Sequence, residues 1–421
     1  MFEHIFEHII YKESKLKNWL TILTAQNTSI PVVDVEVWTR TGYRYEKPDE
    51  LGYAHLLEHM LFGGTKRRPT ALELSIEVES RGGYCNAGTS QESVVYEMQM
   101  MSKDAEQMCD ILSDMILEST LSSDRLNIER NVVLQELKQK QEDHSDYSSR
   151  IAPKRIISGH PMAQNILDTE QTTKDATSEK LRSYLEQHYR PDQSALVMAG
   201  DISHDKAVSL AEKYFSKWVN PSVPFDPGLV PMPRASKNYY FEKRDIKQSF
   251  LTLAYYATPV KDLHESAIWR MVSGYLSIGH ASAFTQELRE KLGLVYNIGS
   301  SKWASNDMGL YMIGTSTQKP RETIDAIDRV VANISSQLTL NVFERVKGQA
   351  IGGFVRKIVK PGNQSSVLGE DFISYSRIIP PQEWLDQLQS VTRNEVLDLA
   401  QKYLHPQNSV LVVLGPDDIG R

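Results

Sequence analysis

Valines 33, 35 and 37 alternate with Asp34 and Glu36, the period-two pattern of a strand with one apolar and one wet face. Val94, Tyr96, Met98 and Met100 repeat it around Glu97 and Gln99, and the methionines there read as ordinary core. Phe250 to Tyr256 reads as another strand, as does the opening segment through Trp19 to Thr24. Helical spacing appears elsewhere. Leu56, Leu57, Met60 and Leu61 line a short helix that Gly63 and Gly64 end. A second helix runs from Thr70, as cap, to Ser80 and is closed by Gly82 and Gly83. Longer helical patterns occupy Lys103 to Leu117 and Ser122 to Lys140, while polar Gln141 to Ser149 reads as a loop or helix end.

One stretch occurs twice. Pro191-Asp192-Gln193-Ser194-Ala195-Leu196-Val197-Met198-Ala199-Gly200 returns as Pro406-Gln407-Asn408-Ser409-Val410-Leu411-Val412-Val413-Leu414-Gly415, an offset of 215 that is close to half the chain. A repeat of that length predicts two similarly folded halves. Between them, Trp218 to Pro233 carries prolines at 221, 224, 227, 231 and 233 and reads as an extended linker. The expected division is therefore residues 1–217, a linker over 218–235, and residues 236–421. Both halves mix helices and strands, so the fold class is α+β.

Composition narrows the function classes. A chain of 421 residues exceeds one ordinary core, and 40% hydrophobic with 24% charged residues describes a soluble globular protein. No apolar run is long enough to cross a bilayer. A net charge of -7 without a long basic run argues against nucleic acid as the main partner. The first eight residues are acidic where a targeting peptide is basic, so the cytoplasm is the expected compartment. Two cysteines, Cys85 and Cys109, cannot frame a disulfide fold of this size and read as buried thiols.

The candidate chemistry is on the short helix, as His55-Leu56-Leu57-Glu58-His59. At about 100° per residue, His59 falls roughly 40° from His55, and Glu58 about 60° the other way. Two neutral imidazoles four apart can bind one Zn²⁺, and the adjacent carboxylate can take a proton from activated water. This is the zinc-peptidase signature in inverted order. A solvated or core histidine pair is the plainer alternative. His4-Ile5-Phe6-Glu7-His8 shows the same pattern, but on a strand its imidazoles would be about 13 Å apart and could not share an ion. A catalytic zinc needs a third protein ligand. Glu129 and Glu136, seven apart, share a helix face with Leu126, Val133 and Leu137, which suggests an inward acidic pair rather than a solvated stripe.

These residues resemble the pitrilysin/insulinase family of zinc metallopeptidases, particularly its mid-sized branch with mitochondrial processing peptidase beta subunits and their bacterial homologues. In that family the ligand glutamate follows the second histidine by seventy-six intervening residues; from His59 that count lands on Glu136, and from His8 on Cys85. The resemblance extends to Gly63-Gly64-Thr65, Gly83 to Ser90, Glu129 to Val133 and Gly159-His160-Pro161. It implies two structurally similar α/β-sandwich halves forming a clamshell of LuxS/metallohydrolase-like type. It also implies Zn²⁺ on His55, His59 and Glu136, Glu58 as general base and then acid, and Glu129 as an orienting carboxylate. Asn86 and Ala87 would lie on an edge strand that pairs with extended substrate, against the simpler reading of a bend around Gly88. Arg289 and Tyr296 would hold the substrate backbone, against a surface ion pair beside a half-buried tyrosine.

The leading expectation is a zinc endopeptidase acting on unfolded peptides or short polypeptides through metal-activated water. A homodimer is expected because one chain carries both the zinc set and the Arg/Tyr set. The alternative is a non-catalytic scaffold, or one subunit of a hetero-oligomeric processing peptidase.

Overall fold

The computed structural model describes residues 8–260, 262–359 and 361–420. His4 lies outside the described residues, and His8 sits in a turn. The chain divides into two compact units. The first contains residues up to Gln139, Gln164–Gly228 and Arg356–Gln382; the second contains Lys140–Ala163, Leu229–Val355 and the chain from Glu383 onward. Where the repeat suggests contiguous halves, the units each borrow one segment from the other half of the sequence.

The first unit holds a six-stranded sheet of β1 (Ile10–Lys15), β2 (Thr21–Gln26), β3 (Val32–Thr39), β4 (Tyr84–Thr89), β5 (Val94–Met101) and β6 (Ser194–Gly200), in the order β1-β2-β6-β3-β5-β4. The second holds β7 (Tyr239–Lys243), β8 (Ser249–Tyr256), β9 (Ile298–Ala304), β10 (Gly309–Thr317) and β11 (Ser409–Gly415), in the order β7-β11-β8-β10-β9. Without β1 the two orders coincide. The repeated sequence accounts for it: Pro191 and Pro406 each open a single 3₁₀ turn that feeds a fully buried strand. β6 then pairs parallel with β2 and antiparallel with β3, and β11 does the same with β7 and β8. Between Phe215 and Tyr239 the proline-rich stretch forms no helix or strand, as proline's missing N–H leads one to expect.

Helices α1 (Tyr53–Leu61), α2 (Ala71–Glu79), α3 (Ala105–Glu118) and α4 (Ser123–Glu142) follow the apolar spacing. Thr70 caps α2 reciprocally with Glu73. Leu56, Leu57, Met60 and Leu61 of α1 pack with Val33, Val35, Val37, Tyr96 and Met98 of the sheet and with Met108 and Leu112 of α3. Burying leucines such as 56 and 57 is worth about 1.5–3 kcal/mol each, enough to fix α1 on the sheet.

Two expectations fail for tertiary reasons. The face of β3 that alternation marks as wet is buried: Asp34 is 6% exposed and Glu36 2%. The helix Pro361–Tyr375 lies along it. Gly362 sits beside Asp34, Ser365 and Ser366 donate to Glu36 Oε1 at 2.7 and 3.2 Å, Gly369 meets the Trp38 ring, and Arg40 donates to the carbonyls of Phe372 and Ile373. Carboxylates thus lie under the first turns of that helix and a guanidinium at its end, matching its dipole. The second concerns Gln141 to Ser149: Gln141 and Glu142 are a helix end, that of α4, but from His144 the polar stretch opens a further helix. Asp143 caps α5 (His144–Ile156), and Ala152 and Ile156 pack against Ala254, Tyr256, Leu310 and Val410. Of the two thiols, Cys109 is fully buried and Cys85 partly so, and both are free.

Candidate metal centre

Helix α1 has no side-chain cap of its own, because Gly52 precedes it in a left-handed conformation with φ 89°. Glu46, six residues upstream and 5% exposed, substitutes by accepting the N–H groups of Gly52 and Ala54 at 2.7 Å each. That secures the end of the helix just before His55.

His55 and His59 stand edge to face, ring centroids 4.9 Å apart, with Nε2 atoms separated by 3.3 Å. Glu136 of α4 brings its Oε2 within 3.3 Å of His55 Nε2 and 3.6 Å of His59 Nε2. Three donors about 2.0–2.1 Å from one tetrahedral ion lie roughly 3.3 Å from one another, so this triangle has the size zinc requires. Glu136 Oε2 is shielded from solvent, and its contacts with the two imidazoles fall short of well-formed hydrogen bonds, a geometry that a cation held between the three would satisfy better. Among the described residues these three form the one His/Cys/Asp/Glu group close enough to hold an ion.

Charge around the triangle is consistent with this fit. Contact with the imidazoles, His55 first, holds Glu136 well below the usual carboxylate range. Burial alone would lower the His59 imidazole, but Glu129 and Glu136 outweigh it and raise it to about 9. Glu129, with its side chain 6% exposed, contacts His59 Nδ1 at 3.0 Å and pairs with the Arg125 guanidinium. Its carboxyl would rise on burial, yet His59 and Arg125 keep it below its ordinary value. With Nδ1–H donated to Glu129, the proton that a metal would displace from His59 is the one on Nε2. Gly63 is needed here, since a Cβ on it would sit 2.6 Å from Arg125 Cγ.

Glu58, one residue before His59, reaches the end of β4, where Thr89 Oγ1 donates to its Oε2 at 2.6 Å. Asn86 and Ala87 lie on the same strand, opposite Glu97 and Tyr96 of β5. Their other side is the free edge of the sheet. The first unit therefore gathers His55, Glu58, His59, Glu129 and Glu136, together with Asn86 and Ala87. Arg289 and Tyr296 belong to the second unit. Arg289 lies on a π-helical stretch, Thr285–Lys291, with its guanidinium 5.3 Å from the centre of the Tyr296 ring, and contacts Glu290 at 3.4 Å. Tyr296 is 82% exposed rather than half-buried, and with Arg289, Ser277, His280 and Asn297 it lines a cavity of about 190 Å³. Sequence reasoning missed Glu46 and Thr89 as parts of the centre. Both act across loops or strands, so no local period marks them.

Residues 21–170 match the family described as insulinase (peptidase family M16), and residues 175–350 match the peptidase M16 inactive domain. A Rickettsia felis protein described as an uncharacterized zinc protease is 28% identical over 410 residues, covering 96% of this chain and 98% of its own. A probable mitochondrial-processing peptidase subunit beta of Arabidopsis thaliana is 25% identical, covering 98% and 80% respectively. In fold, the chain is similar to a protease from Helicobacter pylori, with a TM-score of 0.88 at 17% identity over 96% of this chain and 99% of that one.

Proposed function

The chain belongs to the insulinase family of peptidases, family M16, and from that premise we propose that it is a zinc endopeptidase cleaving unfolded peptides or short polypeptides. The observation that carries the reading is the triangle of His55 Nε2, His59 Nε2 and Glu136 Oε2, in which the carboxylate oxygen is buried without a well-formed hydrogen bond.

His55, His59 and Glu136 would hold the zinc ion, which supplies Lewis acidity that activates water and polarises a carbonyl. Glu129 fixes the His59 tautomer through Nδ1 and offsets the cation's charge with a second carboxylate. Glu58 takes a proton from the attacking water on its carboxylate and returns it to the leaving nitrogen. Its Oε2 already accepts from Thr89, which leaves Oε1 for that transfer. The free edge of β4 at Asn86 and Ala87 offers unpaired backbone groups to an extended peptide. Arg289 and Tyr296 are assigned to substrate backbone carbonyls, for which the guanidinium fork and the phenol are suitable donors.

A quenched-peptide assay with zinc analysis tests the assignment. Glu58→Gln should remove cleavage, by a factor of at least about 10², while retaining one zinc per chain. Cleavage by that variant at the wild-type rate would refute the proposed base. A chelator should silence the wild type and zinc should restore it. We assign a homodimer, since one chain holds both residue sets. The relative named as a beta subunit favours a second reading, one member of a heteromer. Light scattering beside the assay separates them: an active dimer supports the first, an inert chain the second.

A further inference from the structure

Among the described residues the hydroxyl of Thr89 is the one side-chain donor to Glu58, and its bond is short. At 2.6 Å from Oγ1 to Glu58 Oε2, it has the length of a charge-assisted O–H···O⁻ bond. We propose that Thr89 is a positioning residue for Glu58, tying down Oε2 so that Oε1 alone is presented to the reacting water and the leaving nitrogen. This rests on the proposed role of Glu58 as base.

The attachment is stiff from end to end. Thr89 is the last residue of β4, in register with Val94 of β5, and its branched Cβ restricts χ1. The turn that follows is closed on itself: Ser90 N–H donates to the Ser93 carbonyl at 2.8 Å, and Ser90 Oγ accepts the Ser93 N–H at 3.0 Å. A second segment clamps that turn from outside. Arg44 N–H donates to the Gln91 carbonyl at 2.9 Å, and its guanidinium pairs with Glu92 at 3.2 Å. Gly42 makes the close approach possible, because a Cβ there would lie 2.4 Å from the Ser90 carbonyl oxygen. At the other end, Glu58 rides on α1, which is buried on the sheet and secured by Glu46.

The physical consequence follows from the rotors of glutamate. The broad terminal torsion of a free glutamate lets either oxygen take either place. Productive proton transfer needs one oxygen within about 2.6–3.2 Å of its partner, and small losses of alignment cost rate rather than binding. A hydroxyl that fixes one oxygen selects the orientation of the other. A threonine serving only to pack would do so through its methyl, and a serine would then fail as badly as a small apolar residue.

The test compares Thr89→Val, Thr89→Ser and the wild type, each loaded with zinc. Thr89→Val, which keeps the shape and loses the hydroxyl, should reduce kcat by about ten- to a hundredfold. KM should stay within about twofold, with one zinc per chain and an unchanged circular dichroism spectrum. Thr89→Ser should recover most of kcat. Wild-type kcat in Thr89→Val, or equal losses in Val and Ser variants, would overturn the proposal. A melting series on metal-free protein keeps the pair testable should the wild type lack peptidase activity, a result that would instead sink the proposed function. Thr89→Val should lower Tm in the wild-type background and have less effect beside Glu58→Ala. Equal effects in both backgrounds would overturn the pairing.

Discussion

Replacing Gly369 by alanine should destabilise the first unit, although alanine is the better helix former. Gly369 lies within the helix Pro361–Tyr375, where the exchange alone would gain about 1 kcal/mol. The space does not exist for it. An added Cβ would fall 2.1 Å from Trp38 Cε2 and 2.2 Å from Nε1, against an ordinary contact of about 3.5 Å or more. The ring cannot swing aside cheaply, since it is 9% exposed and its N–H donates to the buried Glu36 carboxylate at 2.6 Å. The helix cannot lift without straining the Arg40 bonds to its final carbonyls. Overpacking of this kind costs about 1–3 kcal/mol and sometimes more. A displacement above 1 Å belongs at the upper end, leaving a net loss of about 2 kcal/mol after the propensity gain. For a unit of this size, that is a fall of roughly 4–8 °C in Tm. Differential scanning calorimetry of wild type, Gly369→Ala, Trp38→Leu and the double variant reads both the loss and its cause. The double variant should be less unstable than the two losses added, because removing the indole makes room for the methyl. A higher Tm in Gly369→Ala, or strict additivity, would refute the packing argument.

Three further outcomes are expected. Glu46→Ala orphans two buried N–H groups at the start of α1, at about 1–3 kcal/mol each, and should lower the urea midpoint and weaken zinc retention against a chelator; unchanged values would count against the remote cap. Glu129→Gln should weaken zinc binding about 10–100-fold, read by competition with a chromophoric chelator, and unaltered affinity would remove its orienting role. Glu36 is pushed up to about 7, chiefly by burial, against hydrogen bonds from Ser365 and Trp38 that lower it. Its folded form therefore holds a proton that the unfolded chain releases nearer pH 4.5, so stability falls as pH rises between about 4.5 and 7, by at most about 3 kcal/mol. Glu36→Gln should flatten that slope in a Tm-against-pH series, and parallel curves would show that this carboxyl does not titrate there.

The candidate centre is legible in sequence where its logic is helical. His55, Glu58 and His59 declare themselves by spacing, and Glu129 and Glu136 by sharing a face. The strand inside each repeated stretch, β6 or β11, is equally plain, because proline, serine and glycine recur at one offset. What escapes is whatever depends on a partner far along the chain. Asp34 and Glu36 read as solvated because the helix that covers them starts at Pro361. The start of helix α5 reads as a loop or helix end because its apolar face is short and its cover, β8 and β11, lies about a hundred residues or more downstream. Glu46 and Thr89 fall outside every periodic pattern, since one reaches forward over a loop and the other crosses from strand to helix.

The traded segments also bear on how the protein is made. Residues 356–382 complete the first unit and residues 140–163 the second, so a nascent chain emerging from the ribosome cannot close its first unit until Gln382 has been translated. The early sheet waits, with the Trp38 face of β3 uncovered, until the helix Pro361–Tyr375 emerges. Cutting the gene at the proline-rich junction would give two fragments, each lacking a helix the other encodes, and they should fold only when expressed together.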